Sequence, residues 1–477
     1  MSDLWTLDAA GLVEAYRAGS ADPVEALEAA RDRIARLDPA LGAFVAPNPQ
    51  ARAEAEASAA RWRAGAPLGT LDGVPVALKD NLAARGMPAR WGGPTFPDAP
   101  LAQDELPVAR LRAAGAVALG KTNTPEFAVE GYTGNALFGD TGNPWAPDLT
   151  PGGSSGGSVA AVAAGMATLA LGTDGGGSLR RPAAYCGLFS LKAGIGRYAR
   201  AGGLPQVLLD MEVVGGLTRS ARDLALLDAV LAGPDRRDPR ARAQAPEAPV
   251  PQRPRILFVE RFGDAPLDPV IAARLREAAA ALAADGCAVT EGALPFDVAP
   301  LSAMWPEIAK IGLARLAETL PGFAQASPKY RAMADEGAAL PATRLLAIIE
   351  EIDRLRSAAS RAFAEIDLIL TPACAAQPWP KGESHPPEID GVAVGPRGHA
   401  IYTGWVNAIG CPALSAPCGR DAHGSPVGLQ LVADLGGEPL LLTMAARCER
   451  LFGGWSAWPA MATAPAPPPP ARQSLPL

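Results

Sequence analysis

Apolar positions along the chain repeat with two different periods. Near the N-terminus the period is helical: Val24, Leu27, Ala30, Ile34 and Leu37 share one face at three- and four-residue spacing. The segment Asp22-Pro23-Val24-Glu25 supplies a start signal. Asp22 suits an N-cap, Pro23 the first helical position, and Glu25 completes a capping box. Residues 4–64 are therefore expected to be helices. From residue 70 the pattern shortens. Val74-Pro75-Val76-Ala77-Leu78 is an apolar run of strand length, and it ends in Lys79-Asp80. Residues 107–114 read as a helix and 116–120 as a strand, followed by a loop rich in Gly, Asn and Pro over 126–151. A helix over 155–164, a strand over 167–171, a glycine-rich turn, a further helix and a strand over 188–191 complete this half.

The alternation resumes with strands over 255–259, 288–290, 369–372, 413–417 and 427–432, and helices over 269–284 and 439–452. Strands alternating with helices imply an α/β protein packed around a mainly buried sheet. The expected organisation is a helical region over 1–65, a core over 66–232, an exposed Pro- and Arg-rich connector over 233–254, and the rest of the core over 255–459. Within the last part, residues 300–365 are mostly helical and read as a separate layer, a candidate lid. The tail, 460–477, contains four consecutive prolines and is expected to be extended or disordered.

Composition narrows the function. The chain has 477 residues, 48% hydrophobic and 19% charged, with a formal net charge of −7. It is globular in composition, and nothing in it suggests a nucleic-acid partner or an anionic membrane surface. No stretch reaches the ~20 strongly apolar residues of a membrane span, and the first residues do not resemble a secretion signal. The six cysteines are scattered and the three histidines all lie in the last quarter, so zinc-type ligand spacing is absent. The cysteines read as reduced, mostly buried thiols of a cytoplasmic protein. Neither a metal nor a cofactor is expected. There are only six lysines, at 79, 121, 192, 310, 329 and 381. A lysine inside an apolar segment is informative, because a buried lysine can lose its proton and an arginine cannot.

Two Gly/Ser clusters carry the chemistry. The first is Pro151-Gly152-Gly153-Ser154-Ser155-Gly156-Gly157-Ser158. The second is Gly172-Thr173-Asp174-Gly175-Gly176-Gly177-Ser178-Leu179-Arg180. A turn such as Gly175-Gly176-Gly177 can aim several backbone N–H groups at one point, and such a nest binds an anion. If Ser178 attacks a carbonyl, the oxygen that becomes negative needs this kind of pocket. The alternative is a phosphate site or merely two tight turns, although neither cluster has the Gly-Lys-Ser/Thr of a phosphate-binding loop. Asp174 and Arg180 flank Ser178. They read either as an ion pair that fixes the glycine turn or as direct substrate contacts, and the ion pair is preferred.

The stretch 152–182 resembles the signature of the amidase signature family, a GGSSGG loop followed by a GTD-x-GGS-x-R-x-P block. The resemblance extends upstream to Leu71-Asp72-Gly73-Val74-Pro75-Val76-Ala77-Leu78-Lys79-Asp80-Asn81 and downstream to Pro426-Val427-Gly428-Leu429-Gln430-Leu431. It covers nearly the whole chain and is loose only over 295–365. It implies a single large domain with a mixed β-sheet covered by helices on both faces. It also implies a Ser-Ser-Lys triad: Ser178 as nucleophile, Ser154 as the bridging serine after a cis peptide, and Lys79 as general base. Gly175, Gly176, Gly177 and the Ser178 N–H match the family's oxyanion hole, and Ser155 and Thr173 match supporting hydroxyls. The residues agree with this. A serine nucleophile needs an adjacent base, no histidine lies near a serine motif, and Lys79 ends an apolar strand where burial would lower its pKa. Its other reading is an ion pair with Asp80 or Asp174.

The resemblance places Ala128, Val129 and Glu130 beside the acyl pocket, although Glu130 could equally face solvent. Trp305, Trp379 and Trp405 read as pocket lining or as core, more often core. The expected partner is a small-molecule amide or carbamate (urethane), apolar or aryl, with ester cleavage by the same chemistry. No nucleic-acid or membrane partner is expected, and the chain should be a monomer or homodimer. The alternative is the glutaminase-like subunit of a tRNA-dependent amidotransferase, although such subunits more often read TGGS where this chain has Gly175-Gly176-Gly177-Ser178.

Overall fold

The computed structural model describes residues 3–242, 246–455 and 457–463. Its strands are β1 (Phe44–Pro47), β2 (Pro75–Lys79), β3 (Val117–Thr122), β4 (Gly134–Asn135), β5 (Gly139–Asp140), β6 (Leu169–Asp174), β7 (Phe189–Lys192) and β8 (Val213–Thr218). They continue with β9 (Arg255–Phe258), β10 (Ala288–Glu291), β11 (Leu368–Pro372), β12 (Glu388–Ile389), β13 (Val392–Ala393), β14 (Ala413–Arg420) and β15 (Pro426–Ala433). Eleven of them form one sheet in the order β1-β3-β2-β6-β8-β7-β14-β15-β11-β9-β10, while β4-β5 and β12-β13 are small hairpins. The sheet is mixed. β2 runs parallel to β3 and β6, and β9 runs parallel to β10 and β11. The remaining neighbours are antiparallel.

Side-chain alternation explains why these strands are apolar throughout. Val76, Leu78, Leu169 and Leu171 point into a cluster on one face, while Ala77 and Ala170 point into another on the opposite face. Leu368 and Leu370 share the first cluster, and Ile369 enters a third that the helices of residues 299–363 cover. With both faces buried, each residue of the strand must be apolar or small. The two stretches of the sheet, residues 44–218 and 255–433, join through the pairing of Leu191 with Leu414, so the connector links parts of one domain.

The N-terminal capping box forms as expected. Asp22 Oδ1 accepts from the amides of Val24 and Glu25 at 2.8 and 3.0 Å, and Glu25 accepts from the Asp22 amide at 2.9 Å. The helix Pro23–Leu41 buries Leu27, Ala30 and Leu37. All six cysteines are buried and free.

Several expectations are corrected. The N-terminal region is not helical throughout, because Phe44–Pro47 adds β1 to the sheet edge. The strand Val213–Thr218 has no counterpart among the elements expected from sequence. Its Gly215-Gly216 pair lacks the side chains of a strand signal, and both glycines are there for packing. A Cβ on Gly215 would lie 2.3 Å from the Leu191 carbonyl, and one on Gly216 would lie 2.4 Å from Leu227 Cδ2. The strand expected over 167–171 runs over Leu169–Asp174, which carries Thr173 and Asp174 onto the sheet. The connector is exposed over 246–250 but anchored at its start, where buried Asp238 accepts from the Arg200 amide at 2.9 Å. Ala460–Thr463 form a short helix rather than an extended end, and residues 464–477 lie outside the described residues.

Candidate active site

The two Gly/Ser clusters meet at the carboxyl ends of β2 and β6. Lys79 is the last residue of β2 and is fully buried. Its Nζ lies 2.8 Å from Ser154 Oγ, 3.0 Å from Thr173 Oγ1 and 3.4 Å from the Thr173 carbonyl. Asn81 Nδ2 donates to the same Thr173 hydroxyl at 3.0 Å, and Ser155 Oγ donates to the Thr173 carbonyl at 3.2 Å. The Ser155 amide donates to the Ser178 carbonyl at 3.2 Å, which ties the clusters together directly. The Gly153–Ser154 peptide is cis. Glycines permit this contact. A Cβ on Gly172 would stand 2.9 Å from Ser155 Oγ, and one on Gly153 would stand 2.1 Å from the Tyr132 carbonyl.

Three of the six lysines are fully buried, and their partners separate them. Lys121 donates to the carbonyls of Asp80 (3.0 Å) and Leu82, and Lys192 donates to those of Ala193 (3.0 Å) and Cys411 (2.7 Å). These are structural roles. Lys79 alone of the three holds a serine hydroxyl. Burial lowers its pKa from the ordinary 10.5 to about 7, although the carboxylates of Glu212 and Asp174 oppose the shift. The ion-pair reading of Lys79 does not hold. Asp80 instead accepts from the amides of Gly92 (2.9 Å) and Arg90 (3.3 Å), and Asp174 is turned to Arg180.

Asp174 organises the glycine turn. Its carboxylate accepts from the amides of Gly177 (2.7 Å) and Leu179 (3.1 Å), from Arg180 Nη2 and Nε (2.9 and 3.0 Å) and from Asn407 Nδ2 (2.9 Å). Burial alone would raise this carboxyl, but the Arg180 charge and these hydrogen bonds hold it well below the usual range. Arg180 is held in turn by Gln430 Oε1 at 2.6 Å and the Thr403 carbonyl at 3.1 Å. The Gly176–Gly177 peptide is fixed at both ends. Arg181 and Thr403 Oγ1 donate to its carbonyl, the latter at 2.8 Å, while its N–H goes to Asp174. Gly177, at φ +112°, occupies backbone space that favours glycine. Of the four expected oxyanion donors, the Gly177 N–H is thus committed to the scaffold. The amides of Gly175, Gly176 and Ser178 remain.

Ser178 opens onto a cavity of about 700 Å³ that Ala128, Val129, Glu130, Trp305 and Trp405 also line. Glu130 is neither free nor simply solvated, because it pairs with Lys329 at 2.5 Å on the helix Pro328–Ala338. Trp379 lies elsewhere, against Tyr185 and His399. Reading the sequence did not single out Asn81, Arg181, Thr403, Asn407, Gln430 or Arg397. Asn81, Arg181 and Gln430 stand inside the quoted motifs. The others had no local signal, since Thr403 and Asn407 reach the turn from more than 220 positions away.

A buried lysine on a serine, beside a second serine in a clamped glycine turn, is the arrangement that a Ser-Ser-Lys hydrolase would need. The family model for Amidase matches residues 25–442, and the chain belongs to the amidase signature family, hydrolases of carbon–nitrogen bonds. It is 36% identical over 466 residues to the A subunit of a glutamyl-tRNA(Gln) amidotransferase from Thermus thermophilus, covering 90% of this chain and 94% of that one. It superposes on a bacterial aryl acylamidase with a TM-score of 0.88 at 28% identity, over 97% of this chain and 100% of the other. It also superposes on a 6-aminohexanoate cyclic dimer hydrolase solved with its substrate, with a TM-score of 0.87 at 30% identity over 97% and 100% of the two chains. No helix among the described residues is long and apolar enough to cross a membrane.

Proposed function

We propose that this enzyme cleaves linear amides with apolar or aryl groups, and carbamates and esters by the same route, through an acyl-enzyme on Ser178. The observation that carries the reading is the contact of buried Lys79 Nζ with Ser154 Oγ at 2.8 Å, in a segment bonded to Ser178. At a pKa of about 7, roughly half of Lys79 is neutral at neutral pH. The neutral amine takes the Ser154 proton as Ser154 takes that of Ser178, and Ser178 Oγ bonds to the carbonyl carbon. The carbonyl oxygen becomes an oxyanion facing the free amides of the glycine turn. The C–N bond then breaks, and the proton returns from Lys79 through Ser154 to the leaving amine. Water attacks the acyl-enzyme by the same relay and frees the acid. With a carbamate, breaking the C–N bond releases the amine and leaves an oxycarbonyl-enzyme, and its hydrolysis gives a carbonic half-ester that loses CO₂ to leave the alcohol.

A cavity of about 700 Å³ walled by Trp305 and Trp405 suits an extended apolar substrate. Hydrolysis of a panel of 4-nitroanilides and aryl carbamates tests this, with Ser178→Ala and Lys79→Ala as controls. Turnover that survives in both variants overturns the mechanism. The curated relatives favour a second reading, a glutaminase-type subunit that works inside an amidotransferase complex. Purified chain that hydrolyses anilides without partners, and glutamine poorly, excludes it.

A further inference from the structure

Four cations line the cavity that opens on Ser178: Arg181, Lys310, Lys329 and Arg397. Three have acceptors of their own. Arg181 donates to the Gly176 carbonyl, to Thr403 Oγ1 at 2.9 Å and to the Gly153 carbonyl at 3.3 Å. Lys310 pairs with Glu336 and Lys329 with Glu130, both at 2.5 Å. Arg397 differs. Among the described residues no carboxylate stands within ion-pair distance of it, and its guanidinium carbon lies 4.8 Å from the ring centre of Trp305.

This stack has a space reserved for it. A Cβ on Gly404 would come within 3.3 Å of Arg397 Nη2 and 3.1 Å of Trp305 Cζ3. Trp305 in turn lies against the turn that carries Ser178, since a Cβ on Gly176 would meet its Cζ2 at 2.8 Å. The order along the wall is therefore nucleophile turn, indole ring, guanidinium. Burial and the nearby charge of Arg181 make the Arg397 cation costly, and only Glu130 opposes them. A guanidinium stays charged, so an arriving anion would relieve that cost. Its edge carries parallel N–H donors that fit a carboxylate, while its face stays on the indole.

We propose that Arg397 is a specificity-determining residue that binds a carboxylate of the substrate, so that the preferred amides carry an anionic group beyond the Trp305 ring. The inference rests on the amide-cleavage reading for its substrate class, but its test does not require turnover. Ser178→Ala protein is titrated calorimetrically with two matched pairs. One pair carries the charge on the acyl side, glutaryl 4-nitroanilide against 5-oxohexanoyl 4-nitroanilide. The other carries it on the amine side, 4-butyramidobenzoate against 4-butyramidoacetophenone. The carboxylate member of at least one pair is expected to bind tighter by roughly ten-fold or more. Arg397→Gln should erase that ratio, and Arg397→Lys should keep part of it. Equal binding within both pairs, binding of none of the four ligands, or a ratio unchanged in Arg397→Gln overturns the proposal. Turnover of butyryl 4-nitroanilide by the unmodified enzyme reports separately on the amide reaction, so the two readings fail independently.

Discussion

Replacing Lys79 with methionine should abolish activity and yet stabilise the folded protein below neutral pH. The side chain is wholly buried, and its pKa falls from 10.5 to about 7 on folding. Each pH unit is worth about 1.4 kcal/mol, so the ammonium form costs the folded state about 5 kcal/mol below pH 7. The sign follows from proton binding. Between about pH 7 and 10.5 the unfolded chain holds the proton and the folded chain does not, so wild-type stability climbs with pH through that window. Above 10.5 the cost is gone. Methionine removes the titration but also the hydrogen bonds to Ser154 and Thr173, a loss of about 1–3 kcal/mol. The variant should therefore be more stable than wild type by about 2–4 kcal/mol at pH 6 and no more stable at pH 10.5. Urea unfolding of both proteins from pH 6 to 10.5 measures the difference. The same titration should appear as the acid limb of kcat/KM, falling about ten-fold per pH unit below about 7. A stability difference that is flat across this range, or a kcat/KM profile with no inflection near 7, refutes the reasoning.

Other outcomes follow from the same contacts. Ser154→Ala should lower kcat by roughly 10²–10⁴ while its unfolding midpoint stays near wild type, and a fluorophosphonate probe should label wild type on the peptide bearing Ser178. Asp174→Ala should cost about 3–5 kcal/mol in chemical denaturation, because it leaves the fully buried Arg180 guanidinium without its counter-ion. Gly176→Ala pushes a methyl toward Trp305 Cζ2, so kcat/KM for bulky aryl amides should fall; Trp305→Ala in the same chain should recover part of it. Iodoacetamide should leave activity intact, since burial raises the thiols of Cys186, Cys374, Cys411, Cys418 and Cys448 well above the ordinary thiol range.

Much of this protein is legible in its sequence because the controlling interactions are local. The capping box at Asp22 and Glu25 involves residues three apart, and the burial of Val76, Ala77 and Leu78 on alternate faces follows from the period of a strand. The glycine turn before Ser178 is legible for the same reason, since backbone freedom belongs to the residue itself. Where the signal was not local, the pattern was silent. Gly215-Gly216 hid a strand, because glycines chosen for close packing carry no strand pattern. Nothing in the sequence distinguished Lys79 from Lys121 and Lys192 except its motif, as all three end or interrupt apolar runs. Only the tertiary structure showed which of them meets a serine and which meet carbonyls.

The oxyanion turn divides in the same way. Its glycines stand in the sequence, and the Asp174 that takes the Gly177 N–H is only three residues away, but the clamp by Thr403, Asn407 and Gln430 arises from segments more than 220 positions away. The cavity wall is likewise decided by distant segments, with Trp305 and Arg397 arriving on separate elements. Periodicity and turn chemistry are properties of neighbours along the chain, whereas burial, pKa and the pairing of charges depend on what the rest of the fold packs against them.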